Sequence, residues 1–376
     1  MAPMKRWLAN LGALAVGLGV SALLAEGLLR LAGVHYPAFY RVDAQRGYGL
    51  RPGAQGLWTR EGLGHVRVNG AGFRGPEVPA TAPPGVFRIA VLGDSFTEGL
   101  QVDEAATWVQ QLQTRLSVDR GCGLRRGYSG GVEVLNFGVG GYGTGQELLT
   151  WRHLARTYRP DLVVLAVYPG NDFTDNEPQP RPDRPVFLLD REGRLQLDNS
   201  FRSSPTYRYR TSWPGRLVDG LINHSRLLQL LNEAKNRWSN RAAAPRQQSA
   251  ARSVPMTPPA SSQAWALTDA LIGSLAAETR LAGTRLAVVS ASSPDQLWPR
   301  PEQRPADPFA QERRLAGLLA ARRIPYLPLA PQLQRQADQQ GLSLHGFPGP
   351  VTGEGHWNVT GHRLAAAAIA PWLCGL

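Results

Sequence analysis

Ser95 stands in Gly93-Asp94-Ser95-Phe96-Thr97-Glu98-Gly99, directly after the apolar run Phe87-Arg88-Ile89-Ala90-Val91-Leu92. A serine at such a strand-to-helix turn can act as a helix cap. It can also present its hydroxyl to a cleft, where the start of the following helix favours developing negative charge. The hydroxyl is a weak nucleophile unless a neighbouring base takes its proton. Neutral imidazole does this near pH 7, and His356 lies in Gly353-Glu354-Gly355-His356-Trp357-Asn358-Val359-Thr360-Gly361-His362, just ahead of the last helical pattern. Attack on an acyl carbon creates an oxyanion that needs fixed donors. The backbone N–H groups of Ser95 and Gly141 and the side-chain amide of Asn171 are the candidates. Gly141 falls in Asn136-Phe137-Gly138-Val139-Gly140-Gly141-Tyr142-Gly143-Thr144, where glycines let backbone approach a substrate, and Asn171 falls in Pro169-Gly170-Asn171-Asp172. Together these residues are the parts of an acyl-transfer site.

The other polar residues nearby read more plainly. Asp94 and Asp172 are hydrogen-bonding scaffold, Asn358 is a helix cap, Trp357 is a packing residue, and His362 is a surface or satisfied polar position on the final helix. His356, His362 and Glu354 match no metal-ligand spacing, and the only cysteines, Cys122 and Cys374, cannot build a thiolate cluster. His35, His65, His153, His224 and His345 are scattered and carry no signal.

In open parallel sheets, ligands bind beyond the carboxyl ends of the strands, so the candidate residues need strands ending just before them. Phe87 to Leu92, Val132 to Asn136, Leu162 to Val167, Arg285 to Val289 and Ile324 to Leu327 each read as a strand, mostly as continuous apolar runs expected for strands covered on both faces. Helical patterns occupy Trp108 to Leu116, Gln146 to Tyr158, Ala264 to Leu281, Phe309 to Ala321 and Val359 to Leu373. This alternation predicts an α/β fold with a five-stranded parallel sheet in three layers. The expected organisation is a membrane anchor at 1–32, a lead-in at 33–84 with short β structure and no core of its own, and a main domain at 85–376. An insertion at 176–262 interrupts that domain. It holds a helical pattern from Leu217 to Trp238, then a Pro-, Ala-, Ser-, Gln- and Arg-rich stretch from Ser239 to Ser262 that reads as a flexible link.

A chain of 376 residues, 43% of them hydrophobic, can bury a substantial core. Its formal net charge of +12 comes almost entirely from arginine, Lys5 and Lys235 being the only lysines. No basic stripe interleaved with aromatic residues accompanies it, so nucleic acid is not an expected partner. After Lys5 and Arg6, no charge interrupts Trp7 to Ala25. That is long enough to cross a bilayer, and Leu23 occupies the place of the small residue a cleavage after Ala25 would need. The expectation is an uncleaved single-pass anchor in the cell membrane, with the catalytic domain extracytoplasmic.

Gly93-Asp94-Ser95, the Gly141 block, Gly170-Asn171-Asp172 and the terminal His356 block resemble, in order, the Ser, Gly, Asn and His blocks of the SGNH (GDSL-like) hydrolase superfamily, over Val86 to Leu373. Asn69-Gly70-Ala71-Gly72-Phe73-Arg74-Gly75 also looks like the segment preceding this domain in membrane-anchored bacterial members. The resemblance implies a flavodoxin-like sheet, no cofactor, and esterase, lipase, deacetylase or O-acyltransferase chemistry. Many members carry Asp three residues before the histidine, where this chain has Gly353. Glu354, two residues before His356, resembles the acid of members with an Asp-x-His block, and the alternative is a Ser-His dyad assisted by a backbone carbonyl or another acid. In a flavodoxin-like sheet the helix before Cys122 and the helix before Cys374 lie side by side with their ends at one edge, which pairs these cysteines in an exported protein. The expected function is removal of acyl groups, O-acetyl above all, from an envelope or extracellular carbohydrate or a lipid. An O-acyltransferase and a catalytically silent glycan-binding protein are the alternatives.

Overall fold

The computed structural model describes residues 2–119, 121–177, 179, 181–236, 238, 260–297, 302, 304–347 and 353–376. Most of the expected link from Ser239 to Ser262 lies outside them. Helix α1 (Ala2–Leu31) leads into two small antiparallel hairpins, β1 (Tyr40–Asp43) with β2 (Gly47–Leu50), and β3 (Gln55–Trp58) with β4 (Gly64–Arg67). The main domain follows as β5 (Val86–Gly93), α2 (Ser95–Glu98), α3 (Trp108–Val118), β6 (Gly131–Asn136), α4 (Thr144–His153), β7 (Leu162–Val167) and α5 (Asp172–Asp175). The insertion contains the hairpin β8 (Val186–Leu189) and β9 (Leu195–Asp198), then α6 (Pro205–Thr211), α7 (Trp213–His224) and a further helix, α8 (226–236). The chain closes with α9 (Ser262–Leu281), β10 (Arg285–Ser290), α10 (Ala310–Ala321), β11 (Tyr326–Pro328), α11 (Ala330–Gln340) and α12 (Val359–Cys374).

The five predicted strands form one parallel sheet in the order β11-β10-β7-β5-β6. Counted along the chain this is the 2-1-3-4-5 order of flavodoxin-like sheets. Successive side chains on a strand face opposite ways, and β5 shows the result: Phe87, Ile89 and Val91 join a core with α3, α11 and α12, while Ala90 and Leu92 join a second core with α4, α9 and α10. The order reverses beside β5, which puts a crevice at the end of the strand that delivers Ser95. The lead-in does not stand apart. Phe39, Leu50, Ala54, Val66 and Val68 pack with Leu100, Val139 and Tyr142 of the main domain.

Three elements differ from the sequence-based expectation. The helical pattern from Leu217 to Trp238 is broken at Ser225, because Glu26 of α1 accepts hydrogen bonds from the backbone N–H groups of Arg226 and Leu227 and starts a new helix there. Helix α11 was not expected; it buries only Ala330, Leu333 and Ala337 among polar residues, too weak a periodic signal to stand out. The last strand begins at Tyr326 rather than Ile324, after Arg323 takes a left-handed turn at φ 56°. Cys122 and Cys374 are joined in a disulfide, with Cα atoms 4.5 Å apart. From Trp7 to Leu31, α1 is long and apolar enough to cross a bilayer.

Candidate active site

Strand β5 ends at Gly93, where a Cβ would lie 2.3 Å from Thr97 Oγ1 and 2.9 Å from the Ala166 carbonyl, so only glycine lets the chain turn this tightly. Asp94 caps the turn, accepting from Phe96 N at 2.9 Å, and Ser95 opens α2. That helix is a single turn, closed by Gly99 in a left-handed conformation. Few peptide dipoles align behind Ser95, and most of the expected help from a helix start is absent.

His356 Nε2 lies 2.8 Å from Ser95 Oγ. The other ring nitrogen, Nδ1, lies 2.5 Å from Glu61 Oε2, and the second oxygen of Glu61 accepts the backbone N–H of His356 at 2.8 Å. The place expected for Glu354 is thus filled by Glu61, from the turn between β3 and β4. Glu354 is exposed, and Nδ1 is held by Glu61 instead. Close approach depends on Gly355, with φ at 75°, where a Cβ would stand 2.2 Å from Glu61 Oε1. Glu61 in turn is fixed because the β3–β4 hairpin presses on the segment after α2: Leu63 N donates to the Gln101 carbonyl at 3.1 Å, and a Cβ on Gly62 or Gly64 would lie 2.4 Å from the Gln101 or Leu100 carbonyl respectively.

The electrostatics follow from this pairing. Burial alone pushes the Glu61 carboxyl up, but its hydrogen bonds and attraction to His356 outweigh that and leave it below the ordinary carboxylate value. Burial lowers the His356 imidazole, and the Glu61 hydrogen bond and charge more than restore it, so its pKa is raised. His345, to which the sequence gave no signal, supports the loop from behind. Its Nδ1 lies 2.7 Å from the Gly355 carbonyl and its Nε2 3.3 Å from Ser292 Oγ, while Trp357 Nε1 donates to that hydroxyl at 2.9 Å. Burial lowers His345 to about 4, so its ring is neutral at pH 7. His362 is also buried, lowered to about 3 by desolvation, and accepts from Trp108 N at 3.2 Å.

The glycine block runs past the serine: a Cβ on Gly140 would be 3.6 Å from Ser95 Cβ. Gly141 has φ at 75°, Tyr48 Oη donates to the Gly140 carbonyl at 2.9 Å, and the Arg184 guanidinium donates to the Gly141 carbonyl. In a trans peptide the N–H points opposite its carbonyl, so with the Gly140 carbonyl held by Tyr48 the Gly141 N–H is turned the other way. Among the described residues no backbone carbonyl accepts from the N–H of Ser95 or Gly141. Asn171 sits just beyond β7; its Nδ2 donates to Asp175 Oδ2 at 2.7 Å, which leaves the amide a second N–H. Glu98 lies under the glycine block, accepting from Tyr40 Oη at 2.7 Å, and burial lifts it to about 7. Asp172 accepts from Tyr168 N at 2.8 Å, a scaffold bond like that of Asp94. Burial, joined by mutual repulsion with Asp94, keeps Asp172 and Glu147 well above the carboxylate range.

No protein-family model and no curated protein matches the sequence. Among solved structures, the chain is similar to the acetyl xylan esterase AlAXEase at 11% identity, covering 76% of this chain and 100% of that one with a TM-score of 0.42. It is similar to a catalytic mutant of Axe2, an acetylxylan esterase from Geobacillus stearothermophilus, at 11% identity over 78% of this chain and 95% of that one, TM-score 0.41. TesA matches at 15% identity over 76% and 97%, TM-score 0.38. These are likenesses of architecture alone.

Proposed function

We propose that this chain is a membrane-anchored serine esterase that removes acyl groups, O-acetyl above all, from an envelope or extracellular carbohydrate. The observation that supports it is the hydrogen-bonded chain Ser95–His356–Glu61 at the carboxyl edge of the sheet. In this reading Ser95 Oγ attacks the ester carbon while His356 Nε2 takes its proton. Glu61 holds the Nδ1–H tautomer and stabilises the imidazolium that forms. The N–H groups of Ser95 and Gly141 and the free N–H of Asn171 receive the oxyanion. His356 then protonates the departing sugar oxygen, and water, activated by the same imidazole, releases the acid from acyl-Ser95. The anchor is α1, with Lys5 and Arg6 on the cytoplasmic side and the domain outside, a location compatible with the Cys122–Cys374 disulfide.

A fluorophosphonate probe should label Ser95, and Ser95→Ala should abolish both labelling and hydrolysis of p-nitrophenyl acetate; labelling that persists in the variant refutes the assignment. Running the same hydrolysis with a glycan acceptor, followed by mass spectrometry, separates water from a sugar hydroxyl as acceptor. Acetyl appearing on the glycan at the expense of free acetate would make the protein an O-acyltransferase.

A further inference from the structure

A helix on the surface of a water-soluble domain turns its apolar stripe inward and its polar side to water. Helix α7 instead leaves its apolar stripe in solvent. Asp219 and Asn223, one turn apart, tie the helix to the lead-in: the half-exposed Asp219 pairs with Arg51 at 2.7 Å and Asn223 Oδ1 accepts from Ala38 N at 3.1 Å. The stripe of Trp213, Leu217, Val218 and Leu221, roughly opposite on the helical wheel, points outward, and these residues are 74%, 47%, 44% and 54% exposed. Tyr209 of α6 and Leu231 of α8, the helices before and after it, are exposed as well.

The position of this surface is tied to α1. Glu26 accepts from Arg226 N, Leu227 N and Ser225 Oγ, and Arg30 donates to the His224 carbonyl at 2.6 Å, so the α7–α8 junction is fastened to the end of the apolar helix. From Trp7 to Glu26 a helix rises roughly 30 Å at about 1.5 Å per residue, the thickness of a hydrocarbon core. Glu26 therefore marks the boundary where hydrocarbon gives way to head groups. Exposed arginines at 208, 210 and 216 border the stripe, cations that anionic head groups attract. Tryptophan, tyrosine and leucine beside arginine is the composition of a helix lying in the plane of the interface.

We propose that α7, with its flanks in α6 and α8, is an interfacial membrane-docking element whose outward stripe lies among the head groups of the leaflet from which α1 emerges. This rests on reading α1 as a membrane anchor. It adds a second contact that fixes the orientation of the domain, since a single helix leaves rotation and tilt free. The occupant is the bilayer itself because Glu26 and Arg30 fasten the helix that carries the stripe to the end of the apolar α1.

The test uses the full-length chain in phosphatidylcholine–phosphatidylglycerol vesicles, with one introduced cysteine carrying an environment-sensitive fluorophore. Both native cysteines are in the disulfide and do not compete. Leu217→Cys probes the stripe, Leu14→Cys probes α1, and Leu281→Cys, an apolar position 87% exposed at the C-terminal end of α9, is the aqueous control. The expected result is blue-shifted emission at 217 that is quenched by lipids doxyl-labelled near the head group, quenching at 14 by lipids labelled deep in the chain, and neither at 281. Quenching at 14 but not at 217 overturns the docking and leaves the anchor intact. Quenching at 217 but not at 14 keeps the docking and refutes the spanning anchor; absence at both refutes both. Blue-shifted emission at 217 that no doxyl lipid quenches means a protein surface covers the stripe, and also overturns the proposal.

Discussion

With Glu61 on Nδ1, the imidazole of His356 is held in the tautomer whose Nε2 lone pair meets Ser95 Oγ. It must be neutral to accept the proton, so activity rises with pH as His356 deprotonates, and its raised pKa puts the acid limb of kcat/KM above the ordinary histidine value of about 6.5. Glu61→Gln removes the charge that raises it. The expected outcome is a kcat loss on the order of 10² to 10⁴, as when the orienting acid of a triad is neutralised, together with an acid limb moved to lower pH. Glu354→Gln should change kcat less than about threefold, because the exposed Glu354 leaves the Nδ1–Glu61 pairing in place. A pH profile of both variants on p-nitrophenyl acetate distinguishes the two acids. Asn171→Ala should lower kcat by roughly 10² to 10³ with little change in KM, the size of losing one oxyanion donor.

At the scale of elements, the site is assembled from two loops that glycine alone permits to meet. The β3–β4 hairpin brings Glu61, and the loop before α12 brings His356; Gly355 is where they touch. Gly355→Ala places a methyl group against Glu61 Oε1 at a positive φ, so it should separate the carboxylate from the imidazole and give an activity loss close to that of Glu61→Gln, with a lower melting temperature as well. Parallel measurements of kcat and thermal melting check both parts. Arg74 holds the hairpin's counterpart in place: buried, it donates to the carbonyls of Glu98 at 2.8 Å and Val102 at 2.6 Å. The segment from Asn69 to Gly75 is thus the strut that locks the loop after the nucleophile.

For the whole molecule, two long-range features set stability. The disulfide closes a loop with a sequence separation of 252 residues, and in the chain-entropy model such a loop contributes about 5 kcal/mol. Thiol titration of the native protein should find no reactive cysteine, and reduction should lower the denaturant midpoint while steepening the transition, because the uncrosslinked denatured chain is less compact. The second feature is the buried acid Glu147, both of whose oxygens lack a hydrogen-bond partner among the described residues. Its folded-state pKa is raised by burial and then by Asp94. A carboxyl raised on folding binds its proton more tightly in the native state, so its stabilising contribution is complete below the unfolded value and is lost as pH rises toward the folded one. Glu147→Gln, neutral at every pH, should therefore flatten the decline of stability between mildly acidic and alkaline pH, measurable by urea unfolding across that range.

The sequence by itself determined the parallel sheet, because continuous apolar runs alternating with helical patterns allow little else, and it singled out Ser95 and His356, whose local turns are written in adjacent glycine, aspartate and asparagine residues and which the fold brings to 2.8 Å. It proposed Gly141 and Asn171 as oxyanion donors because each lies a few residues beyond the end of its strand. The acid on His356 was not legible. Glu61 stands 295 residues from its partner in a hairpin with no local mark of function, while Glu354 stands next to it in sequence; which carboxylate reaches Nδ1 depends on how the lead-in packs over the carboxyl edge of the sheet. The outward stripe of α7 was hidden for a related reason: periodicity reveals that a helix has an apolar side, but only tertiary contacts decide whether that side faces the core or, as here, away from it.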